Sequence, residues 1–187
     1  MAIVGKLRVV SNSGTGDGSV KIYADSDYAY NRLDFTETLK IDVDEVDGQS
    51  SADTTIKVTK TGRGNYIAAD TSTYSLTSSG GTVTITGYCN YANAPYVVSI
   101  SGDTSYISGY TSSMKGNLSL TINGTSYSQG ATITGDPGAT GRYTFTLSSF
   151  KVNANTTTSA KTIKIALGAT STTATKYYTI TLAAASS

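Results

Sequence analysis

The densest set of potentially reactive groups in this chain is a run of carboxylates, Asp42-Val43-Asp44-Glu45-Val46-Asp47-Gly48. Acids on a turn suit a hard cation such as calcium. An EF-hand loop wants acids at its positions 1, 3 and 5, Gly at 6 and Glu at 12, and this run does not fit that spacing. We read 42–47 as a solvated acidic edge or loop, of the kind that shields an exposed strand from pairing. Cys89 is a single cysteine, so no intrachain disulfide exists. A reactive thiolate needs a partner base, and the chain contains 0 His. The same absence removes Ser-His-Asp and Cys-His catalysis, the usual zinc sites and the commonest general base. Glycosidases that use two carboxylates need no His, but residues 71–187 offer only Asp103 and Asp136, both in expected turns. Gly14-Thr15-Gly16-Asp17-Gly18 lacks the Lys-Ser/Thr ending of a phosphate loop and leads toward a strand. The expectation is a protein that is not an enzyme, with no catalytic residues, no metal and no cofactor.

What remains is contact chemistry. Tyr88, Tyr91, Tyr96, Tyr106 and Tyr110 crowd one stretch. Tyrosine offers apolar area with a polar tip and few rotamers to lose, which suits a glycan or protein partner. The alternative is that these residues are core and ordinary surface tyrosines. The chain has no Trp, which counts against a sugar platform.

These residues must be carried by strands. Thr, Ser and 14 Tyr dominate the 187 residues, and branched and aromatic side chains fit a pleated, half-buried surface. Charged residues make up only 14%, and the net charge of +1 gives no field to gather nucleic acid or an anionic membrane. No apolar run approaches the roughly 20 residues of a membrane span. Residues 1–70 hold 11 of the 13 acids, and Ser and Thr concentrate after that point, so we divide the chain into modules 1–70 and 71–187 with a joint near 62–71.

In the first module, Ile3–Val10, Val20–Tyr23 and Thr54–Thr59 read as strands, and 33–43 is ambiguous between strand and short helix. In the second, alternating runs fall at 74–77, 83–86, 96–100, 118–122, 143–147, 163–167 and 178–182. Asn123-Gly124 between two such runs is a strong hairpin signal. Short strands at this spacing imply a β-sandwich. The alternation places Val83, Ile85, Val98, Ile100, Leu118, Leu120, Phe145, Leu147, Ile163, Ile165, Ile180 and Leu182 in one core.

Gly80-Gly81-Thr82-Val83-Thr84-Ile85, Tyr96-Val97-Val98-Ser99-Ile100, the stretch from Val152 through Asn155-Thr156-Thr157 to Lys161-Thr162-Ile163-Lys164-Ile165, and the final Tyr178-Thr179-Ile180-Thr181-Leu182 together resemble a BACON-type immunoglobulin-like domain. The resemblance spans about residues 72–182, with an insertion around 115–149. Tyr96 stands at the family's tryptophan position, and the family's final Gln is missing. Nothing in residues 1–70 shares the likeness. It implies an all-β chain with an immunoglobulin-like β-sandwich after a small β-rich N-terminal module. Such modules occur in surface and secreted proteins of gut Bacteroidetes and in structural proteins of their phages, and glycan or mucin binding has been suggested for them.

The start Met1-Ala2-Ile3-Val4-Gly5-Lys6 lacks the basic segment, apolar run and cleavage site of an export signal. With the resemblance, this leads us to expect a virion structural protein, made in the host cytoplasm and released by lysis. An auxiliary or decoration subunit on the capsid of a tailed phage is the first reading. A tail or baseplate subunit and a carbohydrate-binding module are the alternatives. The expected partners are other virion proteins, the major capsid protein foremost, then host-surface or mucin glycans, with self-association as a further option. Neither nucleic acid nor membrane is expected.

Overall fold

The computed structural model describes residues 7–10, 21–24, 32–33, 35–43, 52–137 and 140–186. The loop 14–18 and the acids at 44–47 lie outside the described residues. The chain divides into two compact units, Met1–Gly64 with Ala139–Gly141 and Asn65–Gly138 with Arg142–Ser187. Residues 67–69 form a strand of the second unit.

In the first unit, β1 (Leu7–Val10) pairs antiparallel with β2 (Lys21–Ala24). The ambiguous stretch resolves as strand: β3 (Phe35–Val43) pairs antiparallel with β4 (Ala52–Lys60), in register from Phe35↔Lys60 to Val43↔Ala52.

The second unit contains β5 (Ile67–Ala69), β6 (Thr73–Leu76), β7 (Gly81–Cys89), β8 (Tyr96–Gly102), a short helix α1 (Met114–Asn117), β9 (Leu120–Ile122), β10 (Thr125–Tyr127), β11 (Tyr143–Val152), β12 (Lys161–Gly168) and β13 (Lys176–Leu182). One sheet has the order β10-β9-β11-β7-β5 and the other β6-β13-β12-β8. In chain order this places the first, second, fourth and fifth strands of the immunoglobulin plan in one sheet and the third, sixth and seventh in the other. β6 adds a parallel edge strand beside β13. The second unit is an immunoglobulin-like β-sandwich.

Alternation builds its core. On β7, Val83, Ile85 and Cys89 are buried while Thr82 and Thr84 are exposed. Leu120, Phe145, Leu147, Ile165 and Ile180 are each 0% exposed. Removing such a side chain from water contributes about 1.5–3 kcal/mol.

Two bulges interrupt the alternation. On β8, Ile165 faces Ile100 but Leu167 faces Val97, so one residue is extra. Val97 is therefore buried and Val98 only half-buried, which corrects the expectation that Val98 joins the core. On β11, Leu147 faces Ile85 but Phe150 faces Val83. The bulge brings Phe150 and Val152 inward, and Ser149 Oγ meets Thr84 Oγ1 at 2.6 Å across it.

The stretch 115–149, expected as an insertion, contains β9 and the first half of β11, which are sandwich strands with buried Leu120, Ile122, Tyr143 and Phe145. The addition to the plan is β10 and the loop after it. Asn123 (φ 46) and Gly124 (φ 84) form the two-residue turn between β9 and β10, with Thr125 opposite Ile122. The turn at 78–81 does not close a hairpin. It carries the chain from one sheet to the other, and a Cβ on Gly80 (φ 76) would collide with the Val152 carbonyl.

Candidate interaction face

Catalysis by a carboxylate pair requires two acids that converge. Asp103 follows β8; its Oδ2 accepts the Thr162 N–H at 2.7 Å, and its own N–H donates to the Thr162 carbonyl at 2.9 Å. Asp136 lies at the other end of the sandwich, where its carbonyl accepts Asn123 Nδ2 at 3.2 Å beside the β9–β10 turn. Asp70 Oδ2 accepts the Thr86 hydroxyl at 3.0 Å. Among the described residues no three His, Cys, Asp or Glu side chains gather to hold a metal. Burial pushes the Cys89 thiol up to about 12, only partly offset by a backbone hydrogen bond from Tyr91. That thiol is buried and protonated at neutral pH.

The buried side chains of Asn155 and Asn90, the half-buried Gln129 and the exposed Lys115 hold loops and edges. Asn155, 2% exposed, donates to the Ser159 and Ala183 carbonyls at 2.8 and 2.9 Å and accepts the Thr157 N–H at 3.0 Å. Asn90 Oδ1 accepts the Tyr66 N–H at 2.7 Å, tying the entry of β5 to the end of β7. Gln129 Oε1 accepts the Val97 N–H at 2.8 Å, and Lys115 Nζ donates to the Val98 carbonyl at 3.2 Å. Both side chains lie on the open edge of β8.

The structure separates the five tyrosines expected to form a contact surface. Tyr88, Tyr91 and Tyr96 belong to the end of the sandwich where β7 finishes and β8 begins; Tyr106 and Tyr110 follow the far end of β8. Tyr91 is corrected to a core residue: it is 3% exposed, and its hydroxyl bonds Thr175 Oγ1 at 3.0 Å. Tyr88 points outward from β7 between Ala68 and Thr144, with the Arg142 guanidinium 3.9 Å above its ring. Tyr96 packs against Gly130, where a Cβ would strike its hydroxyl. The Tyr106 hydroxyl donates to Asn155 Oδ1 at 3.4 Å, and Lys161 Nζ lies 5.8 Å from its ring centroid. Tyr110 is half-buried against the core.

Among the described residues the most exposed aromatic side chain is Tyr177, 60% exposed. Its neighbour Tyr178 shares the inward phase of Ile180 and Leu182, so Tyr177 points out of the four-stranded sheet. Ala166 lies opposite it on β12, and Ser99 lies opposite Ala166 on β8. In the next row, Thr179 faces Lys164, and Lys164 faces Ser101. Lys164 and Ser101 are exposed. The outward positions of these strands therefore carry an exposed ring at Tyr177 and an exposed ammonium at Lys164, while Ala166 between them is 2% exposed and Ser99 and Thr179 are half-buried. The signal was the Tyr177-Tyr178 pair at the head of an alternating strand, which puts one tyrosine on each side.

No protein-family model matches the chain. No curated protein matches it. Among solved structures it resembles a protein from Bacteroides thetaiotaomicron determined by NMR, at 13% identity over 65% of this chain and 89% of that one, with a TM-score of 0.27.

Proposed function

We propose that this chain is a non-enzymatic structural protein of a virion, an auxiliary or decoration subunit on the capsid of a tailed phage. The observation that carries the non-enzymatic part is the disposition of the sandwich's reactive groups. Asp103 is bonded to the backbone of β12, Asp136 is at the opposite end, and Cys89 is buried. The outer faces carry Thr, Ser, Tyr and Lys, which serve contact rather than bond-making. The virion role is supported by the likeness of 72–182 to a module found in phage structural proteins. The chain's first part, with 11 of the 13 acids before residue 71, would supply the assembly contacts. The major capsid protein is the proposed partner, and a tail or baseplate position is the nearest variant. Mass spectrometry of purified particles tests the proposal. The chain should be present in a fixed, integral ratio to the major capsid protein, and its absence from washed particles would overturn the reading.

A second reading is glycan adhesion by the same sandwich, favoured by the exposed ring of Tyr177 among hydroxyl side chains. It is compatible with the first, because a displayed subunit can hold a particle near a host surface or mucin.

A further inference from the structure

Asparagine is thermolabile, and least stable where the next residue has no side chain to hinder its backbone nitrogen. Asn123 is the one Asn of this sequence that is followed by Gly. It is exposed, in the turn between β9 and β10. Among the described residues it is the one non-glycine with a positive φ, 46°, a conformation that asparagine tolerates better than most. A Cβ added to Gly124 would meet nothing within 4 Å, so the turn projects into open space.

The chemistry available to this dipeptide is cyclisation. The Gly124 nitrogen attacks Asn123 Cγ and gives up its proton; the Cγ–Nδ2 bond breaks and the amide nitrogen leaves as ammonia. Water then opens the five-membered imide. Cleavage at Cγ gives aspartate. Cleavage at the main-chain carbonyl gives isoaspartate, in which the chain runs through Cβ and Cγ.

The folded hairpin holds both ends of that side chain. Asn123 Oδ1 accepts the Thr144 N–H at 2.9 Å, and the Asn123 N–H donates to the Thr144 carbonyl at 2.9 Å. Asn123 is thus paired with Thr144 by backbone and side chain together, one step beyond the Ile122↔Phe145 pair. Nδ2 donates to the Asp136 carbonyl at 3.2 Å. These bonds carry Cγ toward β11 and residue 136, whereas cyclisation must bring it back to the Gly124 nitrogen. That movement breaks both side-chain bonds and distorts a turn whose two central residues both have positive φ.

We propose that Asn123-Gly124 is a latent modification site, held closed by the bonds to Thr144 and Asp136 and converted to aspartate or isoaspartate when the β9–β10 hairpin opens. Opening of so short a hairpin is a local event, easier than global unfolding. Conversion makes it one-way. Aspartate has no donor for the Asp136 carbonyl and sets a negative charge against its oxygen. Isoaspartate adds a backbone carbon that the two-residue turn does not accommodate. The modified chain keeps a loosened hairpin beside the core residues Leu120 and Ile122.

The test is peptide mapping by mass spectrometry of the full chain held at pH 8, without urea and in denaturing urea. In denaturing urea, conversion should appear at Asn123 before any other Asn. In the folded protein it should be at least about tenfold slower, because it proceeds only through the open fraction. Below the unfolding transition the rate should hardly depend on urea, since a local opening exposes little surface. The isoaspartate form, separated by chromatography, should unfold at a lower urea concentration than the parent and than Asn123→Asp. Equal rates with and without urea would overturn the closed state. A rate that rises with urea in step with global unfolding would overturn local opening. No preference for Asn123 in denaturing urea would overturn the site, and an isoaspartate form as stable as the parent would overturn the one-way step.

Discussion

The Val97 backbone N–H donates to Gln129 Oε1 at 2.8 Å, so a side chain occupies the position on β8 that another strand would take. Lys115 Nζ fills the neighbouring position on the Val98 carbonyl at 3.2 Å. An unpaired strand edge is a template for another chain, and charged or covering groups block it. The loop after β10 thus does two things: it satisfies buried backbone groups and keeps the sandwich from pairing through β8.

Gln129→Ala should test both. Gln129 Nε2 also donates to the Leu118 carbonyl at 2.8 Å, so the change strands several groups at once. The expected loss is about 1–3 kcal/mol in denaturant unfolding. Sedimentation velocity should show more self-association than in the parent. Unchanged stability and association would contradict the role given to this side chain.

The β8 bulge gives a paired prediction. Val97→Ala removes a side chain from the core, whereas Val98→Ala alters a half-buried one. The Val97 variant should be the less stable by at least about 1 kcal/mol. Equal losses would restore the uninterrupted alternation that the local sequence implies.

How much was legible in the sequence follows from these residues. Ile163 and Ile165 on β12, and Ile180 and Leu182 on β13, announce their inward phase by simple alternation, and Asn123-Gly124 announces its turn. Tyr96-Val97-Val98-Ser99-Ile100 is different: two adjacent valines fit either phase, and only pairing with β12 decides between them. A Gly-rich turn such as 78–81 signals a reversal without saying whether the next strand joins the same sheet. Tyr91 sits in a connection with no period, so its burial depends on Thr175, 84 positions away. Tyr177 is legible in the way that Ile180 is, because Tyr177 and Tyr178 at the head of an alternating strand must take opposite faces.

Asn155 should be among the costliest polar positions. Asn155→Ala removes the bonds to the Ser159 and Ala183 carbonyls and to the Thr157 N–H. Those three residues are exposed, and Thr157 Oγ1 still reaches the Ser159 carbonyl at 3.2 Å, so each lost bond costs about 0.5–1.5 kcal/mol. A loss of about 2–3 kcal/mol is expected in chemical denaturation; a loss under about 0.5 kcal/mol would show that water replaces these bonds.

Alkali should unfold the protein. Burial raises Cys89 from 9.0 to about 12, and burial likewise raises Tyr74, Tyr91 and Tyr178 above 10.0. A folded-state value above the unfolded one gives stability that is intact below the unfolded value and is lost as pH rises through the folded one. Cys89 alone corresponds to about 4 kcal/mol lost between pH 9 and 12. Stability measured from pH 7 to 11 should be flat to about pH 9 and then fall. Cys89 should stay unreactive to a thiol reagent at pH 8 until the chain unfolds. Rapid labelling of the native protein would contradict its burial.

Attachment to a particle is the central claim, and reconstitution tests it most directly. The full chain and residues 65–187 are added separately to purified particles lacking the protein, and each is followed by co-sedimentation. The account predicts saturable binding by the full chain, weakened by salt where exposed acids contribute, since the screening length falls to about 3 Å at 1 M. It predicts no binding by the sandwich alone. Failure of the full chain to bind would contradict the virion assignment, and saturable binding by residues 65–187 would contradict the role given to the first unit.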